Sequence, residues 1–369
     1  MQFNIDLNAI QHRKDDHLAI TLQHPSNSLE TSWLEHITLI HNAFPPINFK
    51  EIETSTAFLG RSIAAPLILG ALTGGSPKGQ EINGQIATMA EQFQIPMMLG
   101  SQRIALEHPQ TTETFSIARK KAPTALLIAN IGIAQLSTLQ TVEALEKLVQ
   151  MIEADAIAVH LNPLQEVIQP QGDTDFKNYL PALLAVRDLA KQLHIPLIVK
   201  ETGAGLSREV VQMLIGHDIS IIDVAGRGGT SFSMIEHYRA TQMQDTIRST
   251  AGETFRNWGV PTAASIIETR SISPPSMQII GSGGIRTGLD IAKALAIGAD
   301  LCAIAKPLLD HGSTLQTYIE TIIYELKVAM FLTGLKTPLD LRQSSFIIQS
   351  PLKDWLEQRN IPIPTSLPR

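Results

Sequence analysis

Eight short apolar runs recur along the chain at intervals too long for hairpins, and this spacing constrains the fold more than any other feature. They are Leu67–Leu69, Pro96–Leu99, Ala125–Ile128, Ala156–Leu161, Pro196–Val199, Ile219–Val224, Met277–Ile280 and Leu301–Ala305. Unbroken runs of this length suit strands buried on both faces of a parallel sheet, whereas a strand with one wet face would alternate. Between them lie amphipathic helical patterns, such as Ile82, Ile86, Met89 and Phe93, then Val142, Leu145, Leu148, Val149 and Ile152, which return to one face at helical spacing. Thr287 as an N-cap with Asp290 three residues on, and Gly298 where the periodicity ends, bracket another helix. Eight strand–helix units in succession predict an α/β protein, a (β/α)8 TIM barrel over residues 61–335. An amino-terminal extension would span 1–60, and a helical tail would follow over 336–369. The alternative is an open doubly wound sheet, for which a glycine-rich dinucleotide turn is expected after the first strand.

Charge narrows the partners. Lys and Arg number 29 against 35 Asp and Glu, a net −6, which leaves no basic footprint for nucleic acid and no polybasic membrane anchor. Phosphate binding must therefore be local. Cys302 is the sole cysteine, so no internal disulfide forms. No apolar run approaches the roughly 18 residues of a membrane span, and a basic-then-apolar secretion signal is lacking at the amino terminus. The cytoplasm is the expected compartment.

Nearly every candidate strand ends in residues suited to ligand chemistry: Thr73-Gly74-Gly75, Ser101-Gln102-Arg103, Asn130, His160 to Glu166, Lys200-Glu201, Gly226 to Thr230 and Ser282-Gly283-Gly284. Barrel active sites are assembled from several strand ends at the carboxyl face, so this recurrence marks a rim. The densest stretch is His160-Leu161-Asn162-Pro163-Leu164-Gln165-Glu166. Taken alone it has a plainer reading as caps and turns. The glycine-rich turns after the sixth and seventh strands sit where barrels commonly bind a phosphate on backbone N–H groups. Tight turn geometry explains either one singly; two on adjacent strands favour a phosphorylated cofactor. The polar span Glu236 to Asn257 is either an ordered excursion over the site or a mobile lid.

Arg13-Lys14-Asp15-Asp16-His17, Ala71-Leu72-Thr73-Gly74-Gly75, Gly100-Ser101-Gln102-Arg103, Ala129-Asn130-Ile131-Gly132, His160 through Glu166, Val199-Lys200-Glu201, Gly203-Ala204-Gly205, Gly226 to Thr230 and Trp258-Gly259, in this order, resemble type 2 isopentenyl-diphosphate isomerase. The resemblance implies an FMN-dependent barrel that interconverts isopentenyl and dimethylallyl diphosphates, with the amino-terminal extension over 1–60 covering the substrate. It further implies reduced flavin, Mg²⁺, NADPH as reductant, and a homotetramer or homo-octamer. Met330 to Gly334 and the proline-rich end from Ile361 to Pro368 would complete the last helix and reach a neighbouring subunit.

The resemblance also assigns roles. Lys200 would lie beside the flavin N1 and C2 carbonyl, where a cation stabilises the anionic reduced ring; the plainer reading is a strand-end lysine paired with Glu201. Ala71, Leu72, Thr73, Ser101 and Asn130 would line the ring, and Thr230, Gly283, Gly284 and Ile285 the FMN phosphate. Ala305 and Lys306 follow the eighth strand, and Lys306 is either a phosphate partner or a surface residue. Arg13, Lys14, Ser101, Gln102, Arg103, His160 and Asn162 would surround the substrate diphosphate, since arginine matches phosphate bidentately and lysine supplies a point charge. Glu166 would hold Mg²⁺ against the diphosphate, or serve only as a first-turn helix acid after Pro163. Gln165 would orient or relay at the allylic carbon, with flavin N5 as acid and base. The rival readings are an oxidoreductase of the 2-hydroxy-acid oxidase type and a flavin-binding barrel without catalysis.

Overall fold

The computed structural model describes residues 7–136 and 142–363. Eight parallel strands close into a barrel in the order of the chain: β1 (Leu67–Leu69), β2 (Met97–Met98), β3 (Leu127–Gly132), β4 (Ala156–His160), β5 (Leu197–Lys200), β6 (Ile221–Asp223), β7 (Gln278–Ser282) and β8 (Leu301–Ile304), with β8 pairing back onto β1. Each coincides with one of the eight apolar runs, and closure excludes the open sheet. β3 runs on through Asn130, expected beyond the strand, because its pairing with β4 continues to Gly132 opposite His160.

Alternation within the strands sorts their side chains. Ile68, Ile128, Ala158, Ile198, Ile280 and Ala303 belong to a cluster filling the barrel, while their neighbours Leu67, Leu69, Leu127, Ile157, Val199, Ile279 and Cys302 pack outward against the helices. Two positions beyond the inward apolar residues, the same face carries Asn130, His160, Lys200 and Ser282, and Asp223 follows inward-facing Ile221. The period of two therefore delivers a polar layer to the carboxyl mouth of an apolar tube.

The amino end of the tube is closed by a hairpin that the sequence pattern did not reveal. Thr56–Phe58 pairs antiparallel with Arg61–Ile63, turning through Leu59 and Gly60 at φ 51° and 75°, the positive pair a two-residue hairpin turn needs. Phe58 is fully buried among interior residues of the strands. Arg61 latches the hairpin outside by pairing with Asp155 at 3.1 Å and donating to the Thr124 carbonyl.

The helices follow the expected periodicity. Pro77–Phe93 is capped by Ser76, whose Oγ accepts from Gly79 N. Gly288–Ala296 has the reciprocal Thr287/Asp290 capping box. The segment after β6 is an ordered excursion of two helices, Phe232–Gln242 and Thr246–Thr254, packed on each other. Helix Leu315–Thr333 ends on left-handed Gly334, and the tail adds helix Leu352–Gln358. It also adds a strand, Phe346–Ile348, paired with Ile37–Leu39, so tail and extension are joined beside the barrel. The end of the proline-rich segment, 364–368, lies outside the described residues. Among the described residues no helix is long and apolar enough to cross a membrane.

Phe58→Ala should cost about 3–5 kcal/mol of stability, the range for emptying a large aromatic site. Denaturant unfolding measures it; a loss under about 1 kcal/mol would show that the hairpin is an ornament on the barrel rather than its floor.

Candidate active site

The mouth opens into a cavity of about 1560 Å³, larger than the roughly 300–1,000 Å³ of a single drug-sized ligand. Its floor is the polar layer. His160 Nδ1 lies 2.8 Å from Asn130 Oδ1. The Asn130 amide donates from Nδ2 to the Leu99 carbonyl, which leaves Oδ1 as acceptor and Nδ1–H as donor. His160 Nε2 thus carries the lone pair. Burial first, then the charges of Lys200 and Lys14, hold the imidazole down to about 3, so it is neutral near pH 7.

Lys200 Nζ sits 3.7 Å from Asp223 Oδ2 and donates to the Glu201 backbone carbonyl. Its ionic partner is therefore Asp223, one strand over and in register, and not the Glu201 carboxylate. That carboxylate caps the following loop, accepting N–H bonds from Thr202, Gly203, Ala204 and Gly205; its pKa is raised by burial, against those hydrogen bonds.

One wall is a backbone cradle. Gly229, Thr230, Gly283, Gly284 and Ile285 line the cavity, and no backbone N–H of these residues has a protein partner among the described residues. The two turns touch through bare backbone: a Cβ on Gly283 would stand 2.0 Å from the Gly226 carbonyl oxygen, and one on Gly229 would stand 2.8 Å from Gly284 N. Gly283 and Gly284 also hold φ of 100° and 77°, where side chains are strained. Unpaired N–H groups converging on open space suit a phosphate, so the cradle fits the phosphate of FMN. Ala71, Leu72, Thr73, Ser101, Asn130 and Ala305 line the same cavity.

The opposite wall is cationic. Helix Leu7–Gln23 carries Arg13 and Lys14 to the cavity, where Arg103 from the helix after β2 joins them. Lys14 Nζ donates to the Ser101 carbonyl at 2.9 Å and lies 5.3 Å from the Phe115 ring centroid. Burial, then the fields of Arg13 and Arg103, bring its pKa down to about 7. Arg13 is lowered from its ordinary value for the same first reason. The helix is pinned by residues of the same motif. Asp15 accepts from Ser76 Oγ at 2.6 Å, Asp16 faces Arg239 at 3.8 Å, and His17 meets buried Glu236 at 2.8 Å.

Glu166 lies between the walls, 7% exposed. Its Oε1 accepts from Asn162 Nδ2 and its Oε2 from Asp173 N. Gln165 accepts from Asn162 at 3.1 Å and faces the cavity, while Asn162 Oδ1 is buried without a partner. Among the described residues no group of three or more His, Cys, Asp or Glu is arranged to enclose a metal. A single carboxylate beside an unpaired amide oxygen fits Mg²⁺, which takes one or two carboxylates and its other ligands from phosphate and water.

Two residues considered for ligand contact have their polar groups engaged by the protein. Gln102 is fully buried, with its amide spent on Asn130 N, the Leu148 carbonyl and Met151 S, so it supports Asn130 from behind. Lys306 lines the cavity but binds Asp310 one helical turn on, at 2.7 Å, which offsets the charge it would offer a phosphate. In the sequence Asp223 reads only as part of a strand, His17 only as the end of the Arg13–His17 motif, and Glu236 and Arg239 only as members of the polar span after the sixth strand; none carries an assigned role of its own. For Asp223 the signal was a lone carboxylate inside the apolar run Ile219–Val224; for the others no local pattern existed.

Gly283→Ala should weaken FMN binding at least tenfold, about 1.4 kcal/mol, through strain and the contact with Gly226. Titration of flavin fluorescence reads the loss, and unchanged affinity would remove the cradle from the cofactor site.

Residues 26–348 match the FMN-dependent dehydrogenase family. Over 353 residues the chain is 42% identical to an isopentenyl-diphosphate delta-isomerase of Metallosphaera sedula, covering 95% of each. Over 355 residues it is 44% identical to the enzyme of that name from Pyrobaculum arsenaticum, covering 95% of this chain and 98% of the other. Among solved structures it resembles a mandelate oxidase variant with benzaldehyde, at TM-score 0.63 and 16% identity over 93% of this chain and 98% of that one. A mandelate oxidase with (S)-2-phenylpropionate aligns at TM-score 0.62 and 15% identity over the same shares. At such identity the structural likeness speaks for the fold alone. The barrel, the cradle that suits a phosphate and the relatives agree: the chain belongs to the family of FMN-dependent isopentenyl-diphosphate delta-isomerases.

Proposed function

We propose that this protein interconverts isopentenyl diphosphate and dimethylallyl diphosphate, using FMN reduced by NADPH, with Mg²⁺ and no net redox change. The observation that supports this reading is that one cavity is lined by a backbone cradle of N–H groups, unpaired among the described residues, after β6 and β7 and by a cluster of cations near β2. The glycine cradle suits the cofactor phosphate. Arg13, Lys14 and Arg103 gather at the cavity, and although Glu107 at 2.7 Å offsets part of the Arg103 charge, the cluster still carries more positive charge than a carboxylate substrate needs, while Glu166 supplies the one anionic ligand that a diphosphate-bound Mg²⁺ would share. A 2-hydroxy-acid substrate would leave that excess uncompensated.

When bound, reduced FMN supplies at N5 the proton donor and acceptor that an unactivated alkene requires. The chain's own groups do the rest. Lys200, steadied by Asp223, would balance negative charge at the N1 edge of the ring. Thr73, Ser101 and Asn130 would hold the ring edge. Arg13, Lys14, Arg103 and Asn162 would fix the diphosphate so that the short hydrocarbon lies over the flavin, a positioning role that converts binding energy into orientation. His160, neutral and presenting Nε2, would take up a proton as the diphosphate arrives. Gln165 would orient the allylic carbon; an amide is too weak a base to remove its proton.

The reading predicts that a single reduction by NADPH or dithionite supports many turnovers under anaerobic conditions. Product and NADPH are followed together. Reductant consumed in step with product, or full activity with oxidised FMN, would overturn it.

Lys14 predicts the pH dependence. With a pKa near 7 in the free site, its ammonium is present below about pH 7 and lost above it, so substrate affinity should fall as pH rises through that value. The loss of a charge-assisted hydrogen bond is worth roughly 1.5–3 kcal/mol. Lys14→Arg, charged throughout, should flatten the alkaline limb of 1/KM; the same limb in the variant would assign it to another group.

A further inference from the structure

Asp223 has no part in holding either phosphate, yet it is 1% exposed and lines the cavity beneath Lys200. A carboxylate taken from water to such a place is costly unless both oxygens are answered. Here they are. Oδ1 accepts from Ser282 Oγ on β7 and from Ala225 N at 3.2 Å, and Oδ2 faces Lys200 Nζ at 3.7 Å. Three adjacent strands, β5, β6 and β7, thus carry a chain from hydroxyl to carboxylate to ammonium across the barrel mouth.

We propose that Asp223 is a positioning residue that sets the electrostatic character of the flavin site: it aims Lys200 and offsets part of its charge, so that the ring edge meets an ion pair instead of an isolated cation. The proposal rests on the reading above, in which Lys200 borders N1 of FMN. The physical argument is one of balance. An unopposed ammonium in a water-poor cavity acts strongly on a neighbouring charge. It would stabilise the anionic reduced ring and draw electron density from it, which lowers the basicity of a group that must both give and recover a proton. A fixed carboxylate moderates that pull. The second contact of Lys200, to the Glu201 carbonyl, completes its orientation and adds no charge.

Asp223→Asn is the test, since the amide keeps the size of the side chain and an acceptor for Ser282. The holoenzyme's two-electron potential is measured by anaerobic equilibration against a reference dye, alongside FMN affinity in both redox states and isomerase kcat. The variant should favour reduced over oxidised FMN by about tenfold more than the parent does, a rise of about 30 mV for a two-electron couple, while kcat falls. Asp223→Glu, which restores the charge, should return the potential towards that of the parent. A purely structural aspartate would lower thermal stability without moving the potential. Should Asp223→Asn prevent folding, Ser282→Ala keeps the carboxylate but removes the donor that partly satisfies it, and should shift the potential downward. Bound flavin with an unchanged potential in the folded variants overturns the proposal. Failure of the parent protein to bind FMN overturns instead the flavin reading on which it stands.

Discussion

The arrangement depends on burying polar side chains at the end of an apolar tube. Leaving one buried donor or acceptor unmatched costs on the order of 1–3 kcal/mol, and more for a charge. The floor of the mouth avoids this by pairing Asn130, His160, Lys200 and Asp223 with groups on a neighbouring strand or loop. Gln102 supports Asn130, which meets His160; Ser282 supports Asp223, which meets Lys200. The first chain rests on the register of β3 with β4, and the second on the register that puts Lys200 beside Asp223, with His160 beside Lys200 between them. A slip of one residue in β5 would turn Lys200 outward among the helices and bring Val199 inward. The register that buries Ile198 is therefore the register that builds the site.

A second tension lies in the cationic wall. Arg13, Lys14 and Arg103 repel one another, and the depressed pKa of Lys14 records that repulsion together with desolvation. An empty site with this charge would tend to push the amino-terminal helix away. Three acidic contacts oppose that tendency: Asp15 with Ser76, Asp16 with Arg239, and His17 with Glu236, the last a carboxylate fully buried on the excursion after β6. The motif from Arg13 to His17 thus divides its labour within about one helical turn, the first two residues facing the cavity and the last three holding the helix on the barrel.

Much of this was legible in the residues, for reasons that also explain what was not. Buried parallel strands must be continuously apolar, so all eight announced themselves, and their polar last positions marked the rim. The cradle was visible because close backbone approach admits only glycine at Gly283 and Gly229. Partnerships distant in sequence left no such trace. The hairpin at Thr56–Ile63 is too short for periodicity to register and is held by Phe58 inside a barrel assembled elsewhere. By position in the chain Gln102 reads as a ligand contact and Lys306 as either a phosphate partner or a surface residue. One rotates behind the sheet and the other closes onto Asp310, outcomes set by side-chain direction that composition does not encode. Asp223 showed the converse: a carboxylate read as part of a strand proves to be the partner of Lys200.

The same barrel in mandelate oxidase underlines how little the fold decides. A rim histidine could serve as a base in such a scaffold, yet here His160 donates from Nδ1 to an amide oxygen and sits between two lysines. With no carboxylate on Nδ1 to stabilise an imidazolium, the protonated ring must wait for negative charge to come from the ligand. A diphosphate brings that charge. In the function we propose, the histidine would become a donor only in the occupied site, which would couple its protonation to substrate binding and leave proton transfer at carbon to the flavin. Chemistry on this scaffold is decided by which side chain answers the histidine and which charges face it, two features that lie outside the alternation that builds the barrel.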